Sequence, residues 1–446
     1  MTSRADAEPA PRQGGGMRAL TLATVFAAGA GYLVMLVTGR TLGAADYKDF
    51  AAYWAAFFAL GGVANGLMQE TTRGVRAARH GGDSDATTRP AAATVPDRSA
   101  GRVRLLPAGL LMGLGLAALV LASWPAWGTL GLATHSGVAV IVLAAGILGF
   151  SLQAATAGAL SGTERWGTYG VLLAVDAALR LLVAGAAWAL GLSGLAFCLA
   201  TVVGAVTWAL LYAVSPGTRD ALRSRLDVGP ARFWRNTATA MFASAGTSAL
   251  VTGFPLFVTA TARDTDPARI VGAVILAITL TRAPLLVPLT SFQSAIIVYF
   301  VERRDRGARA LAAPLGAILV VGLLGAGAAW LLGPWLLRVL FDPEFELPGA
   351  VLAGLTVASV GTAALMVTGN AALARDRHGV YNAGWWVAVV ASVALLLGLP
   401  AALDVRATVA LLAGPGLGAL VHLAALLRPV GGHPDHATVD AGAAVR

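Results

Sequence analysis

The sequence predicts an all-α polytopic membrane protein, with about twelve transmembrane helices in two six-helix lobes. Three observations carry that prediction: apolar windows as long as a bilayer is thick, arginines gathered on alternate connections, and very little charge. Of the 446 residues, 57% are hydrophobic and 12% charged. Soluble domains carry about 25% charge to cover themselves, so a water-facing surface is excluded.

A spanning helix needs ~20 apolar residues at about 1.5 Å rise each. The windows predict spans at 19–39, 50–69, 105–124, 137–158, 168–189, 194–214, 236–260, 270–298, 311–333, 349–370, 380–400 and 407–427. The 105–163 and 167–218 stretches are each long enough for two. One set of connections holds most of the 32 basic residues, among them Arg73, Arg76, Arg79, Arg89, Arg98, Arg102, Arg104, Arg165, Arg219, Arg223, Arg225, Arg232, Arg235, Arg303, Arg304, Arg306 and Arg309. The other set holds only Arg40, Lys48, Arg263, Arg269, Arg338 and Arg406. Basic residues near span ends are retained inside the cell. Both termini are therefore expected in the cytoplasm, with the chain multi-pass in the plasma (inner) membrane.

The expected organisation runs in order. Residues 1–16, polar and rich in Pro and Gly, read as a disordered cytoplasmic tail. Residues 17–214 form the N-lobe, with a flexible cytoplasmic loop at 71–104. Residues 215–235 connect the lobes, 236–428 form the C-lobe, and 429–446 are a cytoplasmic tail. Both halves begin and end inside, as in parallel-repeat carriers that rock about a midplane site. Glycine- and alanine-rich stretches within the spans read as helix-packing faces. No Walker, HExxH, GxSxG or CxxC motif occurs, so no catalytic residue, cofactor or metal is expected. His433 and His436 lack a third ligand. The net charge of +9 is spread over many short loops, which fits contact with membrane lipids and not with nucleic acid.

Asp176, Arg180 and Arg282 are the ionisable residues nearest the middle of spans, where charge is costly and faces a cavity or a partner. Asp176 and Arg180 are four apart, hence on one helical face. They form either a self-neutralising pair or a cavity-lining cation with its carboxylate. Arg282 has no partner one turn away and precedes Pro284 and Pro288, which free backbone carbonyls. It pairs with a carboxylate on another helix, reaches for the membrane interface, or faces a cavity. An arginine fork suits phosphate better than lysine does. Asn65, Gln69 and Glu70 could line the cytoplasmic mouth, unless Glu70 pairs with Arg73 instead. Gln153, Gln293, Asn370 and Asn382 read as interhelical hydrogen-bond contacts.

The opening stretch GYLVMLVTGRTLGAADYKDFAAYWAAFFALGGVANGLMQETTRGVRA resembles the start of Wzx-like polysaccharide flippases. These belong to the multidrug/oligosaccharidyl-lipid/polysaccharide (MOP) exporter superfamily. Its features are Arg40 after the first span, Leu42-Gly43, Asp46-Tyr47, Phe50, and a second span ending in Gln69-Glu70 with Arg73. The stretch TRAPLLVPLTSFQSAIIVYFVER is similar to the eighth span of that group. Lys48 stands where the group usually has glycine. The resemblance implies a V-shaped transporter that moves an undecaprenyl-diphosphate-linked oligosaccharide between leaflets for cell-surface polysaccharide biosynthesis. It further implies H+ or Na+ coupling, polysaccharide assembly machinery as a partner, and no enzyme activity. The alternative is an ion-coupled drug or metabolite antiporter, of the multidrug exporter or major facilitator type.

Overall fold

A computed structural model describes residues 13–83, 103–125, 136–192, 194–303 and 309–427. The expected tails (before Gln13 and after Leu427), most of the 71–104 loop, His433 and His436 lie outside these residues.

Among the described residues there are helices and no strands. We number the α-helices α1 (Gln13–Asp83), α2 (Leu105–Ala122), α3 (Ser136–Gly162), α4 (Trp166–Ala189), α5 (Gly194–Val202), α6 (Thr207–Val214), α7 (Pro216–Leu222), α8 (Pro230–Val251), α9 (Phe254–Ala260), α10 (Ala268–Ser291), α11 (Gln293–Glu302), α12 (Ala312–Leu340), α13 (Gly349–Leu373), α14 (His378–Gly398) and α15 (Leu403–Leu427). Ten helical stretches are long and apolar enough to cross a membrane, and α8 with α9, bent by 66°, makes up to eleven. The first of the ten, Gly15–Arg79, is 65 residues long. At about 1.5 Å per residue that is roughly three bilayer cores, too long for one crossing. It breaks at Gly43, whose φ of 68° is open to glycine at little cost. Counted as two spans, it brings the number to the expected twelve. In a bilayer no water is present to satisfy backbone groups, so each apolar stretch closes its hydrogen bonds within a helix.

Contacts between elements establish an up-and-down path. Gly16 backs onto Gly167, Gly162 onto Val75, Asp227 N–H donates to the Gly74 carbonyl, and Arg375 donates to the Leu426 carbonyl at 3.1 Å. These place the first and last described residues at one end of the molecule, here the terminal end. Gly43 lies at the other, the turn end, with Gly272 against the Ala44 carbonyl and Arg263 donating to the carbonyls of Leu397 and Leu399.

The interior has two apolar clusters. One belongs to the first half of the chain and its connection, from Tyr53 to Phe233. The other joins the halves: Val34, Tyr47, Phe50, Ala184 and Phe197 pack with Phe254, Val274, Leu286, Phe345 and Leu365. At the turn end the halves therefore share one core. Large apolar side chains such as Leu22, Leu182, Leu324, Leu331 and Val390 stay exposed on the outer surface. Such an apolar exterior suits lipid and not water. The protein is a multi-pass membrane protein.

Three expected boundaries shift. The loop expected at 71–104 is helical through Asp83. Arg73 is bonded to Glu70 and Asp227, and Val75 is buried, so the helix has partners beyond the membrane span. The expected 236–260 span bends at Thr252–Gly253, and the 194–214 span passes through a 3-10 turn at Val203–Val206. Pro284 and Pro288 do not break α10, which continues to Ser291 before the chain turns at Phe292.

Gly62 and Gly66, one turn apart on the second half of α1, let α8 approach closely. A Cβ on Gly66 would sit 2.4 Å from the Met241 backbone nitrogen. Backbone cannot step aside as a side-chain tip can. Gly66→Ala is thus expected to cost at least about 1–3 kcal/mol, as overpacking does. A Cβ at Gly316 would meet open space. Thermal unfolding in detergent should show a clearly lowered midpoint for Gly66→Ala and none for Gly316→Ala.

Candidate functional site

A cavity of about 390 Å³ lies between the two halves of the chain. Tyr32, Met35, Trp54 and Phe58 of α1 line it, with Asp176 and Arg180 of α4. Thr252 and Pro255 from the α8–α9 bend and Thr279 and Arg282 of α10 complete the wall. Three charged residues singled out by depth alone are therefore brought to one space.

Arg180 is 4% exposed. Its Nε and Nη2 donate to the two Asp176 carboxylate oxygens, both at 2.9 Å. One turn of helix sets that geometry. The Gln153 amide of α3 donates to Asp176 Oδ1 at 3.0 Å, fixing the carboxylate from the other side. The guanidinium also stands 5.1 Å from the ring centroids of Phe57 and Phe58, within cation–π range. The two sequence alternatives are thus compatible: Asp176 and Arg180 are an ion pair, and both border the cavity. Arg180 Nη1 is buried without a hydrogen-bond partner.

Arg282 is 5% exposed and makes no ion pair among the described residues. Its Nη2 donates to the Leu250 carbonyl at 2.9 Å. That carbonyl lies in the last turn of α8, where helix-end carbonyls lack intrahelical partners and carry partial negative charge. The bend between α8 and α9 creates the acceptor. Arg282 Nε is buried without a partner. The cavity wall therefore holds two guanidiniums, each with a spare donor nitrogen, and one carboxylate already bonded to arginine.

Asn65, Gln69 and Glu70 do not line this cavity. They lie towards the terminal end. The Gln69 amide donates to Ser244 Oγ at 3.1 Å. Glu70 accepts two bonds from Arg73 at 2.7 and 2.8 Å and one from Asn236 at 3.0 Å, while Arg73 reaches on to Asp227. Of the two readings offered for Glu70, the pair with Arg73 is present, within a larger network between α1 and α8. Gln293 bonds Asn370 at 3.2 Å, an interhelical contact of the expected kind.

Sequence reasoning missed Gly204. A Cβ there would fall 2.2 Å from Asp176 Oδ1 and 2.7 Å from Arg180 Nε. The 3-10 turn presents its bare backbone to the ion pair. In a chain with 54 glycines, nothing in the sequence sets this one apart. Trp54 and Phe58 were also missed. Their four-residue spacing was legible as one helical face, but so is that of any core stripe.

This arrangement of helices is the fold of transporters of the MOP superfamily. The protein superposes with a TM-score of 0.66 on an inward-facing multidrug resistance MATE family transporter of that superfamily, at 14% identity over 90% of this chain and 96% of that one. With an outward-facing form the score is 0.60, at 15% identity over 93% and 96% of the two chains. A MOP superfamily transporter from Pyrococcus furiosus, whose binding pocket is described as of reverse polarity, superposes at 0.63 with 14% identity over 93% and 97%. No family model matches the sequence. The chain is 41% identical over 406 residues to the uncharacterized protein Mb3654 of Mycobacterium bovis, covering 91% of this chain and 90% of the relative. It is 40% identical over 408 residues to the uncharacterized protein Rv1510 of Mycobacterium tuberculosis, with the same coverage. The chain belongs to the family of these mycobacterial proteins.

Proposed function

We propose that the protein is a membrane transporter that flips an undecaprenyl-diphosphate-linked oligosaccharide from the inner to the outer leaflet. One observation carries this reading: Arg180 and Arg282, from opposite halves of the chain, border one cavity and each keeps a spare buried donor. Two guanidinium charges in a low-dielectric space suit a diphosphate, because hydrogen bonds between ionised groups are the strong ones. Exposed apolar helix surface gives the lipid tail an environment outside the cavity. The two lobes, 17–214 and 236–428, would rock about the site. The drive would be an H+ or Na+ gradient, since the sequence has no nucleotide-binding motif. The arginine-rich terminal end would face the cytoplasm, and polysaccharide assembly machinery would act on the flipped product.

Cavity size favours a second reading. A volume of about 390 Å³ lies in the range of small-molecule pockets, and the structural neighbours include multidrug transporters. A drug or metabolite antiporter would fill it entirely, whereas a lipid-linked sugar would place only its diphosphate and first sugar there.

Reconstituted protein decides between them. Fluorescent lipid-linked oligosaccharide should move between leaflets of proteoliposomes, as read by quenching from outside. Transfer no faster than in empty vesicles, together with ion-driven uptake of a small dye, would establish the antiporter instead. Sidedness has its own test. In a Cys198→Ala background, an impermeant thiol reagent on intact cells should label Asp342→Cys at the turn end. It should reach Arg225→Cys only after permeabilisation. The reverse pattern would invert the topology.

A further inference from the structure

At the turn end the two halves of the chain cap each other's helices. The second half of α1 begins at Ala44, just after the Gly43 break, and its first amide has no acceptor within its own helix. Glu344, on the short loop after α12, supplies one: Ala44 N–H donates to Glu344 Oε2 at 3.2 Å. A carboxylate at a helix N-terminus also meets the positive end of the helix dipole. In return, Arg40 reaches from the end of the first half of α1 to the C-terminus of α12. Its Nε donates to the Leu340 carbonyl at 2.6 Å and its Nη2 to the Val339 carbonyl at 2.8 Å. These are carbonyls a helix end leaves without partners, and a cation there meets the negative end of the dipole.

The surroundings hold the two caps in register. Gly272 of α10 lies against the Ala44 carbonyl so closely that a Cβ would stand 1.9 Å away. Tyr47 meets Phe345 edge to face at 5.4 Å between ring centroids. Asp342 accepts from the Glu344 amide at 3.1 Å and so sets the loop that carries the carboxylate. Arg40 and Glu344 are themselves exposed side chains, while the aromatic residues beneath them are buried. The charged groups are thus free to exchange their helix-end partners for water, at a site where water or lipid headgroups are near.

We infer that Arg40 and Glu344 form a reciprocal capping latch, which holds the turn end closed and whose release opens the cavity to that side. Both caps cross the same seam between the halves, so a separation there breaks them together. The terminal end is tied differently, through the Glu70–Arg73–Asp227–Asn236 side-chain network and the close approach of Gly66 to α8. The two ends can therefore open independently. The inference rests on the transporter reading for its purpose. Its test reads distances without any substrate, so failure of the latch and failure of transport are separable.

The experiment uses the full chain with Cys198→Ala, reconstituted in lipid. One spin-label pair, Asp46→Cys with Asp264→Cys, spans the turn end; a second, Arg79→Cys with Arg232→Cys, spans the terminal end. Double electron–electron resonance gives the distance distribution for each. Glu344→Ala and Arg40→Gln should each raise the ratio of open to closed populations at the turn end by about fivefold, the size of one helix cap, and leave the terminal pair unchanged. Glu344→Gln, which still accepts from the Ala44 amide but has lost its charge, should fall between Glu344→Ala and the parent. Unchanged turn-end distances in all three variants would overturn the latch. So would equal widening at both ends, which is general loosening of the fold. Should Arg40→Gln fail to yield monodisperse protein, the Glu344 pair of variants decides alone, since that residue is exposed on a loop.

Discussion

Arg282→Ala is expected to lower lipid-linked oligosaccharide transfer by at least about tenfold while the protein keeps or gains thermal stability. Truncating one member of a buried charged contact with a ligand costs about 2–5 kcal/mol of binding, mostly in how long the ligand stays. Arg282 has no carboxylate to satisfy it among the described residues; its one bond is to the Leu250 carbonyl, and Nε has no partner. A buried, unpaired cation is a cost to the folded state, so its removal relieves the fold. Loss of the donor to Leu250 offsets part of that gain. Arg282→Lys keeps the charge but not the fork, and should fall between parent and Ala in transfer. Stability and transfer moving in opposite directions mark a residue kept for its ligand. If Arg282→Ala transfers normally at normal protein levels, the arginine is structural and the diphosphate reading fails at this residue.

Asp176→Ala should do the opposite to stability, at a cost of about 3–5 kcal/mol, because it leaves Arg180 buried and unpaired. Two of the three bonds to the carboxylate come from Arg180 and the third from Gln153. Removing the carboxylate thus leaves both helices with unmet donors. The double variant Asp176→Ala/Arg180→Met separates the roles. An apolar replacement of a buried pair is often neutral, so thermal stability should return towards the parent value. Transfer should not return, because one of the two guanidiniums is gone. A double variant that recovers both stability and transfer would make the pair purely structural. Gly204→Ala is a gentler form of the same test. Its Cβ would meet Asp176 Oδ1 at 2.2 Å and Arg180 Nε at 2.7 Å, so the pair must shift without losing either group. Stability and transfer should both fall, by less than for Asp176→Ala.

The sequence by itself determined the all-helical, membrane-spanning class and roughly how many apolar spans the chain holds. The physical reason is local: hydrocarbon demands about twenty apolar residues per crossing, so the signal is written along the chain. It also determined which charges lie deep, because a charge inside an apolar window is visible without a fold. The pairing of Asp176 with Arg180 was legible for the same reason, as four-residue spacing on one helix. Only the tertiary structure decided that Arg282, about a hundred positions further on, borders the same cavity as that pair. Only it showed that Glu70 joins a network with Asp227 and Asn236 away from that cavity. Gly204 under the ion pair and Glu344 on the Ala44 amide are likewise invisible in sequence. Each depends on how distant helices meet, and close approach of backbone is set by the packing of whole helices, not by any residue's neighbours in the chain.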